Sequence, residues 1–289
     1  MTKRCDGVNH CEDKSDEREC SLLSVDDSYD RNVNPPPLDH QEKSQVNIHI
    51  DLISILQIDE IKSKFYVKYI LQAEWFDRRL SFNNLKLLPE MNILSPEDRD
   101  KIWVPNLIFD NTDSNEEAKY DKKSYIKVIP SKTFGYMIAD YDVRDNTYIF
   151  DGEENALESE RTYNTQFICS YKMNWYPFDT QTCYMDFIIK ANADEFIKLV
   201  PNNMKYSGPI DLSTYFVRST SICSAVISNK NGVRVKVVLG RPLLSTILTT
   251  FLPTILLNVI GHITNYFKPF FFEAVITVNL TVMLVLATM

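Results

Sequence analysis

Hydrophobic and polar residues alternate with a period of two along most of the chain before residue 241. The clearest examples are residues 46–52 and 65–71. Because successive side chains of a β-strand point to opposite faces of a sheet, this pattern predicts strands with one buried face. The alternation changes phase at Ile53 and Ile55, which indicates a bulge or a local twist.

Further runs of the same kind follow along the chain. They cover residues 124–130, 135–140, 162–172, 182–189, 214–227 and 232–239. Asn231-Gly232 is typical of a two-residue hairpin turn. No helical period dominates before residue 241. We therefore predict a mainly β, antiparallel, immunoglobulin-like sandwich over residues 45–240.

The pattern is different at the end of the chain. Residues 242–267 and 274–289 contain no Asp, Glu, Lys or Arg and are mostly apolar. A helix of about 20 apolar residues spans the hydrocarbon core of a bilayer. We predict a transmembrane region at 241–289, with a first helix at about 242–267 and a truncated second helix at 273–289. A buried core helix is the alternative for the first of them.

Composition and charge place the predicted sandwich in an oxidising compartment. The chain has a net charge of −8, six cysteines and four scattered histidines. Six cysteines at regular spacings favour secretion, although no signal peptide opens the sequence. We expect a fragment of a longer secretory-pathway membrane protein. No phosphate-binding glycine loop is present, so we predict neither an enzyme nor a nucleic-acid partner.

One short loop carries the most specific signal. Cys169 and Cys183 enclose thirteen residues, whose apolar tip Tyr176-Pro177-Phe178 is followed at once by Asp179. This spacing and this tip resemble the signature loop of the pentameric Cys-loop ligand-gated ion channels. The resemblance implies a disulfide between Cys169 and Cys183. A disulfide that only staples the sandwich is the alternative.

Other stretches resemble the same family in the same order. Trp75–Leu80 resembles the family's Trp-x-Asp-x-x-Leu. Trp103-Val104-Pro105, with Asn111, resembles the first binding loop. Arg241 and Pro253 lie where the family has an arginine at the membrane entrance and a proline in the first membrane helix. We expect Asp59-Glu60, the loop tip with Asp179, and Arg241 to meet between the sheets and the helices. An arginine between acids at such a boundary would form a charge-assisted pair that couples ligand binding to gating.

The last segment has the pattern of a pore wall. Thr277, Thr281, Leu284 and Thr288 recur at helical spacing after Glu273. Small hydroxyls with one leucine suit a pore that has a hydrophobic gate, whereas a helix interface joined by threonines is the alternative. A single helix cannot enclose water. The resemblance implies a homo- or hetero-pentamer that passes an inorganic ion, multi-pass in the plasma membrane, with an extracellular ectodomain.

The permeant ion stays open at this point. A ring of Glu273 side chains would attract cations, and the Pro-Ala-Arg of most anion-selective members is absent. The stretches 175–183 and 278–282 nevertheless most resemble arthropod pH- or metal-sensitive chloride channels, which gives a slight lean to chloride. A cation-selective channel and a non-conducting, membrane-tethered binding or scaffold receptor are the alternatives.

The agonist is not expected to be a quaternary amine, because the aromatic box that would bind one is poorly filled. The residues left as ligand contacts are Tyr69, Phe109, Lys190, Tyr215 and Phe216. For the four aromatics, a place in the core is the alternative. Acid-rich stretches at 110–121 and 151–160 could sense protons or metal ions, or could be solvated loops. A small ligand, a proton or a metal ion is the expected agonist.

Residues 1–20 are acidic and rich in cysteine. Cys5-Asp6-Gly7 and Ser15-Asp16-Glu17 resemble the C-terminal half of an LDL-receptor class A repeat. The resemblance implies disulfide bonding at Cys5 and Cys20 and calcium ligation by Asp6, Asp16 and Glu17. A disordered acidic tail is the alternative. Residues 21–44, with Pro35-Pro36-Pro37, are predicted to be a linker, and no other cofactor is expected.

Overall fold

A computed structural model describes residues 9–12, 21–39, 41–113, 117, 124–131, 136–138, 147–190, 193, 195–264, 266 and 272–288. The chain divides into two compact units. The first comprises Met1–Cys169, Cys183–Gly208 and Thr220–Lys236, and the second comprises Ser170–Thr182, Pro209–Ser219 and Val237–Met289.

The described residues before the apolar end of the chain form mainly β-strands. Their bounds are β1 Leu23–Val25, β2 Ser44–Asp59, β3 Lys64–Trp75, β4 Leu80–Asn83, β5 Leu107–Phe109, β6 Tyr125–Ile129, β7 Tyr136–Ile138, β8 Thr147–Asp151, β9 Ala156–Ile168, β10 Thr180–Ile189, β11 Ile197–Tyr206, β12 Phe216–Ile227 and β13 Lys230–Gly240. Three sheets result, with the strand orders β11-β2-β3-β9-β6, β12-β13-β10-β5 and β1-β4-β8-β7. The predicted mainly β sandwich is confirmed. The helical turn α1 (Pro96–Arg99) and the 3-10 turn Pro89–Met91 lie between strands.

The alternating positions of β2 and β3 form the centre of the core. From Ser44 to Leu52 in β2 and along the whole of β3, every second side chain is buried, among them Val46, Ile48, Phe65 and Tyr69 at 0% exposure. The pairing of β2 with β3 shifts register between Leu52 and Ser54. The predicted change of phase at this point is therefore a β-bulge, which returns apolar side chains to the buried face.

The strand β11 differs from the predicted antiparallel arrangement. It pairs in parallel with β2, and its register shifts between Pro201 and Asn203. Proline and two asparagines interrupt the alternation of this segment, which is why the sequence pattern does not reveal it. Proline is tolerated because β11 is an edge strand, where one row of backbone donors has no partner strand.

The hairpin between β12 and β13 turns three residues earlier than predicted. Its turn residues are Ser228 and Asn229, with φ of 49° and 62°. A two-residue hairpin of the I′ type requires positive φ at both positions. Gly232 lies instead within β13, where an added Cβ would approach the Phe187 carbonyl oxygen to 2.6 Å.

Part of the predicted linker packs on the sandwich. Strand β1 pairs with β4, so that Leu23 lies opposite Phe82 and Val25 opposite Leu80. Pro35 is buried. Residues 21–39 are therefore more than a linker, because part of them packs into the first unit.

The second unit contains the apolar helices. Helix α2 (Leu243–Thr246), a π-helical turn (Ile247–Phe251) and helix α3 (Leu252–Thr264) are continuous, and helix α4 covers Phe272–Thr288. The continuous segment of 22 residues, with a mean hydropathy of 1.9, is long and apolar enough to cross a membrane. The described apolar part of α4, Phe272–Val285, is shorter.

A proline explains the π-helical turn. Pro253 has no backbone N–H, and its ring would clash with the carbonyl of Thr249 in a regular helix. The Leu252 N–H donates to the Ile247 carbonyl, five residues back. This wider turn accommodates the ring within the helix.

Candidate functional site

The predicted disulfide between Cys169 and Cys183 is present. The two Cα atoms are 5.1 Å apart, and both residues are buried. Closing a loop of this length stabilises a fold by about 3 kcal/mol.

The structure brings together two residues that the sequence assigned to gating. In the second unit, Nε of Arg241 donates to Oδ1 of Asp179 at 2.9 Å, and Nη2 donates to Oδ2 at 3.2 Å. The side chains of Arg241 and Asp179 are only 7% and 2% exposed. A buried, two-point arginine–carboxylate contact fixes both the position and the orientation of the guanidinium.

Asp179 keeps its negative charge despite burial. Burial by itself raises the pKa of this carboxyl, but the hydrogen bonds from Arg241 and Gln181 and the charge of Arg241 outweigh it, so the pKa lies below its ordinary value. Gln181 donates to Oδ2 of Asp179 at 2.6 Å. Gln181 is not among the predicted site residues, although a separation of two residues in an extended chain places it on the same side as Asp179.

Gln181 also ties the two ends of the loop together. Its amide oxygen accepts from the Lys172 N–H at 2.8 Å, and its amide nitrogen donates to the Lys172 carbonyl at 2.9 Å. The amide therefore replaces one backbone pairing across the loop and orients Asp179 at the same time.

Two tyrosines enclose the guanidinium of Arg241. Its carbon atom lies 4.8 Å from the ring centre of Tyr176 and 4.5 Å from that of Tyr215. Nη2 donates to the Tyr215 hydroxyl at 2.5 Å. Tyr215 is fully buried, as the core alternative expects, and its role as a ligand contact stays a prediction. We call Asp179, Arg241, Tyr176 and Tyr215 the arginine cage.

The tip of the loop contacts the first apolar helix. Tyr176 stacks on Phe251 with ring centres 6.2 Å apart and planes 25° apart. Phe251 is the last residue of the π-helical turn. Trp175 and Phe178 are 79% and 70% exposed. Tyr176 thus contacts both the guanidinium of the cage and the first apolar helix.

Asp59 and Glu60 lie in the first unit, at the turn between β2 and β3. The Asp59 carboxylate accepts from the Lys62 N–H at 2.8 Å and shapes the turn. Ile61 is 97% exposed. A role of these residues in gating stays a prediction.

The remaining ligand candidates are mostly structural. Tyr69 and Phe109 are 0% and 1% exposed and pack edge-to-face on Phe187, because they occupy inward positions of their strands. They present no surface to a ligand. Phe216 packs against Gly240, where an added Cβ would meet its ring at 2.5 Å.

Charged groups stand on the surface near the predicted binding loop. Lys190 forms an ion pair with Glu117 at 2.8 Å. The Ser228 hydroxyl, in the hairpin turn, donates to the Asp110 carboxylate at 2.9 Å. Polar side chains thus replace the expected aromatic box at these positions.

Helix α4 presents two different faces. Val275, Val278, Asn279 and Val282 form a half-buried stripe, and Asn279 accepts a hydrogen bond from Thr264 of α3 at 3.1 Å. Residues of a helix are about 100° apart around its axis. The exposed stripe of Glu273, Thr277, Thr281 and Leu284 therefore lies on the side away from α3.

The hydroxyls of that stripe are internally bonded. Thr277 and Thr281 donate to the carbonyls of Glu273 and Thr277 at 2.8 and 2.7 Å. Each hydroxyl oxygen keeps lone pairs and can still accept a hydrogen bond. The helix continues to Thr288, whose side chain lies outside the described residues.

The predicted calcium ligands Asp6, Asp16 and Glu17, and the cysteines Cys5 and Cys20, also lie outside the described residues. Within the described part of the chain, no group of three or more His, Cys, Asp or Glu side chains is arranged to hold a metal ion.

Similar proteins are channels. The chain is 26% identical over 159 residues to a proton-gated ion channel of Gloeobacter violaceus, covering 55% of this chain and 36% of that protein. It is 24% identical over 161 residues to a serotonin-gated chloride channel of Caenorhabditis elegans, covering 56% and 28%. A glutamate-gated chloride channel of Drosophila melanogaster is 24% identical over 115 residues, covering 38% and 24%. The aligned part thus spans about a third or less of these relatives.

A family model extends the likeness over most of the chain. The model of the neurotransmitter-gated ion-channel ligand binding domain matches residues 19–238. Proteins of this family are ion channels and not enzymes. The match includes the disulfide loop, the sandwich and the hairpin, and the chain therefore belongs to the neurotransmitter-gated ion-channel ligand binding domain family.

Proposed function

We propose that the chain is a subunit of a ligand-gated ion channel of the plasma membrane, multi-pass and with its β domain outside the cell. The observation that carries this proposal is the arginine cage with the Tyr176–Phe251 contact. A buried ion pair that only stabilised the fold would not need an apolar loop tip on a membrane-length helix. The family and the relatives support the same conclusion.

The cage suggests how movement would reach the helix. Arg241 directly precedes the first apolar helix, and its guanidinium is held by Asp179 on its edge and by two rings on its faces. Displacement of the loop tip therefore pulls on the start of the helix at Arg241 and on Phe251 together. Since interiors are closely packed, such contacts pass between two discrete arrangements rather than deforming gradually.

The pore, in this proposal, is lined by the exposed stripe of α4. Several copies of the helix must surround it, and the family resemblance implies five. The stripe holds Thr277, Thr281 and Leu284 on the side away from α3. Hydroxyl oxygens that act as acceptors can replace water around a passing ion, and Leu284 would form the hydrophobic gate.

A cation-selective pore is the alternative to the lean to chloride, and a ring of Glu273 side chains would support it. Glu273 lies on the same exposed side of α4 as Thr277, so a ring of carboxylates would stand at one end of the pore and repel anions. The lean to chloride rests on resemblance, which the chloride-channel relatives support.

Reversal potentials distinguish the two ions. With a sodium chloride gradient, a cation pore reverses near the sodium potential, and Glu273→Gln should move this value toward zero by weakening the attraction of cations. Glu195→Gln, outside the helix, is the control. Reversal at the chloride potential in the wild type would establish the anion channel instead.

The agonist, we propose, is a small ligand, a proton or a metal ion rather than a quaternary ammonium ion. This proposal is supported by Lys190, Asp110 and Glu117, which are charged residues near the predicted binding loop. Currents from the full-length protein under acid steps, zinc, serotonin, glutamate, γ-aminobutyric acid and acetylcholine test it. A response to one of the first five supports the proposal. A response to acetylcholine alone contradicts the agonist class, and no current with any agent favours the non-conducting receptor.

A further inference from the structure

The segment before the sandwich is attached to it by side chains as well as by β1. We call residues 21–31 the N-terminal strap. The Ser21 hydroxyl donates to the Asp98 carboxylate at 3.3 Å, and the Arg31 guanidinium donates to the Asp100 carbonyl at 2.5 Å. Both partners lie just before the predicted first binding loop.

Tyr29 is the central contact of the strap. Its hydroxyl donates to Oδ2 of Asp77 at 3.0 Å and accepts from the Trp103 N–H at 2.9 Å. Arg79 lies over its ring, 4.5 Å from the centre. Burial, together with the charge of Asp77, raises the pKa of Tyr29, so the phenol keeps its proton.

The hydroxyl satisfies groups that have little access to water. The Asp77 side chain is fully buried and also receives two hydrogen bonds from Arg79, at 2.8 and 2.7 Å. Trp103 is 8% exposed. Removing the hydroxyl would leave the Trp103 N–H without its acceptor, and an unsatisfied buried donor favours opening of the backbone that carries it.

Trp103 opens the segment that leads to the charged surface. Strand β5 follows it, and the Asp110 N–H then donates to the Asp186 carbonyl at 2.9 Å. The Asp110 carboxylate holds the hairpin turn through Ser228. Tyr29 therefore fixes the beginning of a short segment whose end contacts the hairpin.

We propose that Tyr29 is a positioning residue, which holds the first binding loop through Trp103 and thereby sets the agonist sensitivity of the channel. The effect on sensitivity rests on the proposed function, whereas the positioning of the loop does not. Tyr29→Phe is the informative variant, because it removes the hydroxyl and keeps the ring under Arg79.

Hydrogen exchange of the purified full-length protein tests the positioning. We expect amide exchange in residues 101–107 to become roughly tenfold faster in Tyr29→Phe, the factor for losing one hydrogen bond, with β3 and β9 unchanged. Tyr148→Phe, on β8, is the matched control. Unchanged exchange at 101–107 would overturn the proposal. So would equal acceleration in all strands, which would mean that the hydroxyl only stabilises the fold.

Currents evoked by external protons test the sensitivity. We expect the half-activating proton concentration of Tyr29→Phe to shift by about threefold or more, with the maximal current unchanged and Tyr148→Phe like the wild type. Local loosening without any shift would overturn the claim on sensitivity. If the wild type passes no current under any agent, the proposed function fails, and the exchange result still decides the positioning.

Discussion

Asp179 and Arg241 form an ion pair that is costly to break, since either charge would remain buried without the other. Asp179→Asn keeps the shape of the side chain but removes the charge opposite Arg241. The pair contributes to folding and, in our proposal, also to gating. Measured stability therefore reports the role of this pair in folding, and measured current reports its proposed role in gating.

We expect Asp179→Asn to lower the free energy of unfolding by about 3 kcal/mol at neutral pH. Because the pKa of Asp179 is lowered in the folded state, its contribution is present above the unfolded pKa of about 3.9 and is lost as the pH falls through the folded pKa. The difference between wild type and variant should shrink in acid. Unfolding by denaturant at several pH values measures it, with the exposed Asp211→Asn as control. A difference that grows in acid would contradict this assignment.

At the scale of elements, the hairpin between β12 and β13 gives a sharp test of where the chain turns. Asn229 has positive φ, whereas Gly232 has no room for a Cβ beside Phe187. Asn229→Gly should therefore raise the free energy of unfolding by a few tenths of a kcal/mol or more. Gly232→Ala should lower it by about 1–3 kcal/mol.

Thermal unfolding of the two variants measures both effects under the same conditions. Lys230→Ala, between the two sites, is the control, because it changes neither the positive φ at residue 229 nor the space beside Phe187. If the turn lay at Asn231-Gly232, Asn229 would lie within a strand, and Asn229→Gly would lower the free energy of unfolding instead. Gly232→Ala would be destabilising in either case, so Asn229→Gly is the variant that decides.

The same elements show how far sequence patterns lead. Alternation predicts β2 and β3 and even their bulge, because burial of one face determines the residue types there. It does not reveal β11, whose Pro201 breaks the pattern at a sheet edge. It cannot locate the turn, since Asn-Gly is a frequent turn pair but the register of both strands decides its position.

The sequence predicts the site only where the chemistry of a contact requires particular residue types, as in an ion pair. Arginine and aspartate in a poorly hydrated place must meet, and they do. Tyr69 and Phe109 are candidate ligand contacts in the sequence because an exposed and a buried aromatic look alike there, and only the register of their strands separates the two. Gln181 and Tyr29 act through backbone groups, which no sequence motif displays.

At the scale of the whole molecule, the central claim is that an extracellular β domain opens a pore lined by one face of α4. The two faces offer a matched comparison. Thr281 lies on the exposed stripe, and Val282, its neighbour in sequence, lies on the half-buried stripe with Asn279. A difference between adjacent positions cannot be ascribed to depth in the membrane.

The most direct measurement is block of the agonist-evoked current by a membrane-impermeant thiol reagent in Thr281→Cys and Val282→Cys channels. Both carry Cys11→Ser and Cys223→Ser as well, because Cys11 and Cys223 are exposed cysteines that a thiol reagent would reach. We predict irreversible block of Thr281→Cys, faster when agonist is present, and no block of Val282→Cys. Equal block at both positions, or block at Val282→Cys alone, would contradict the account.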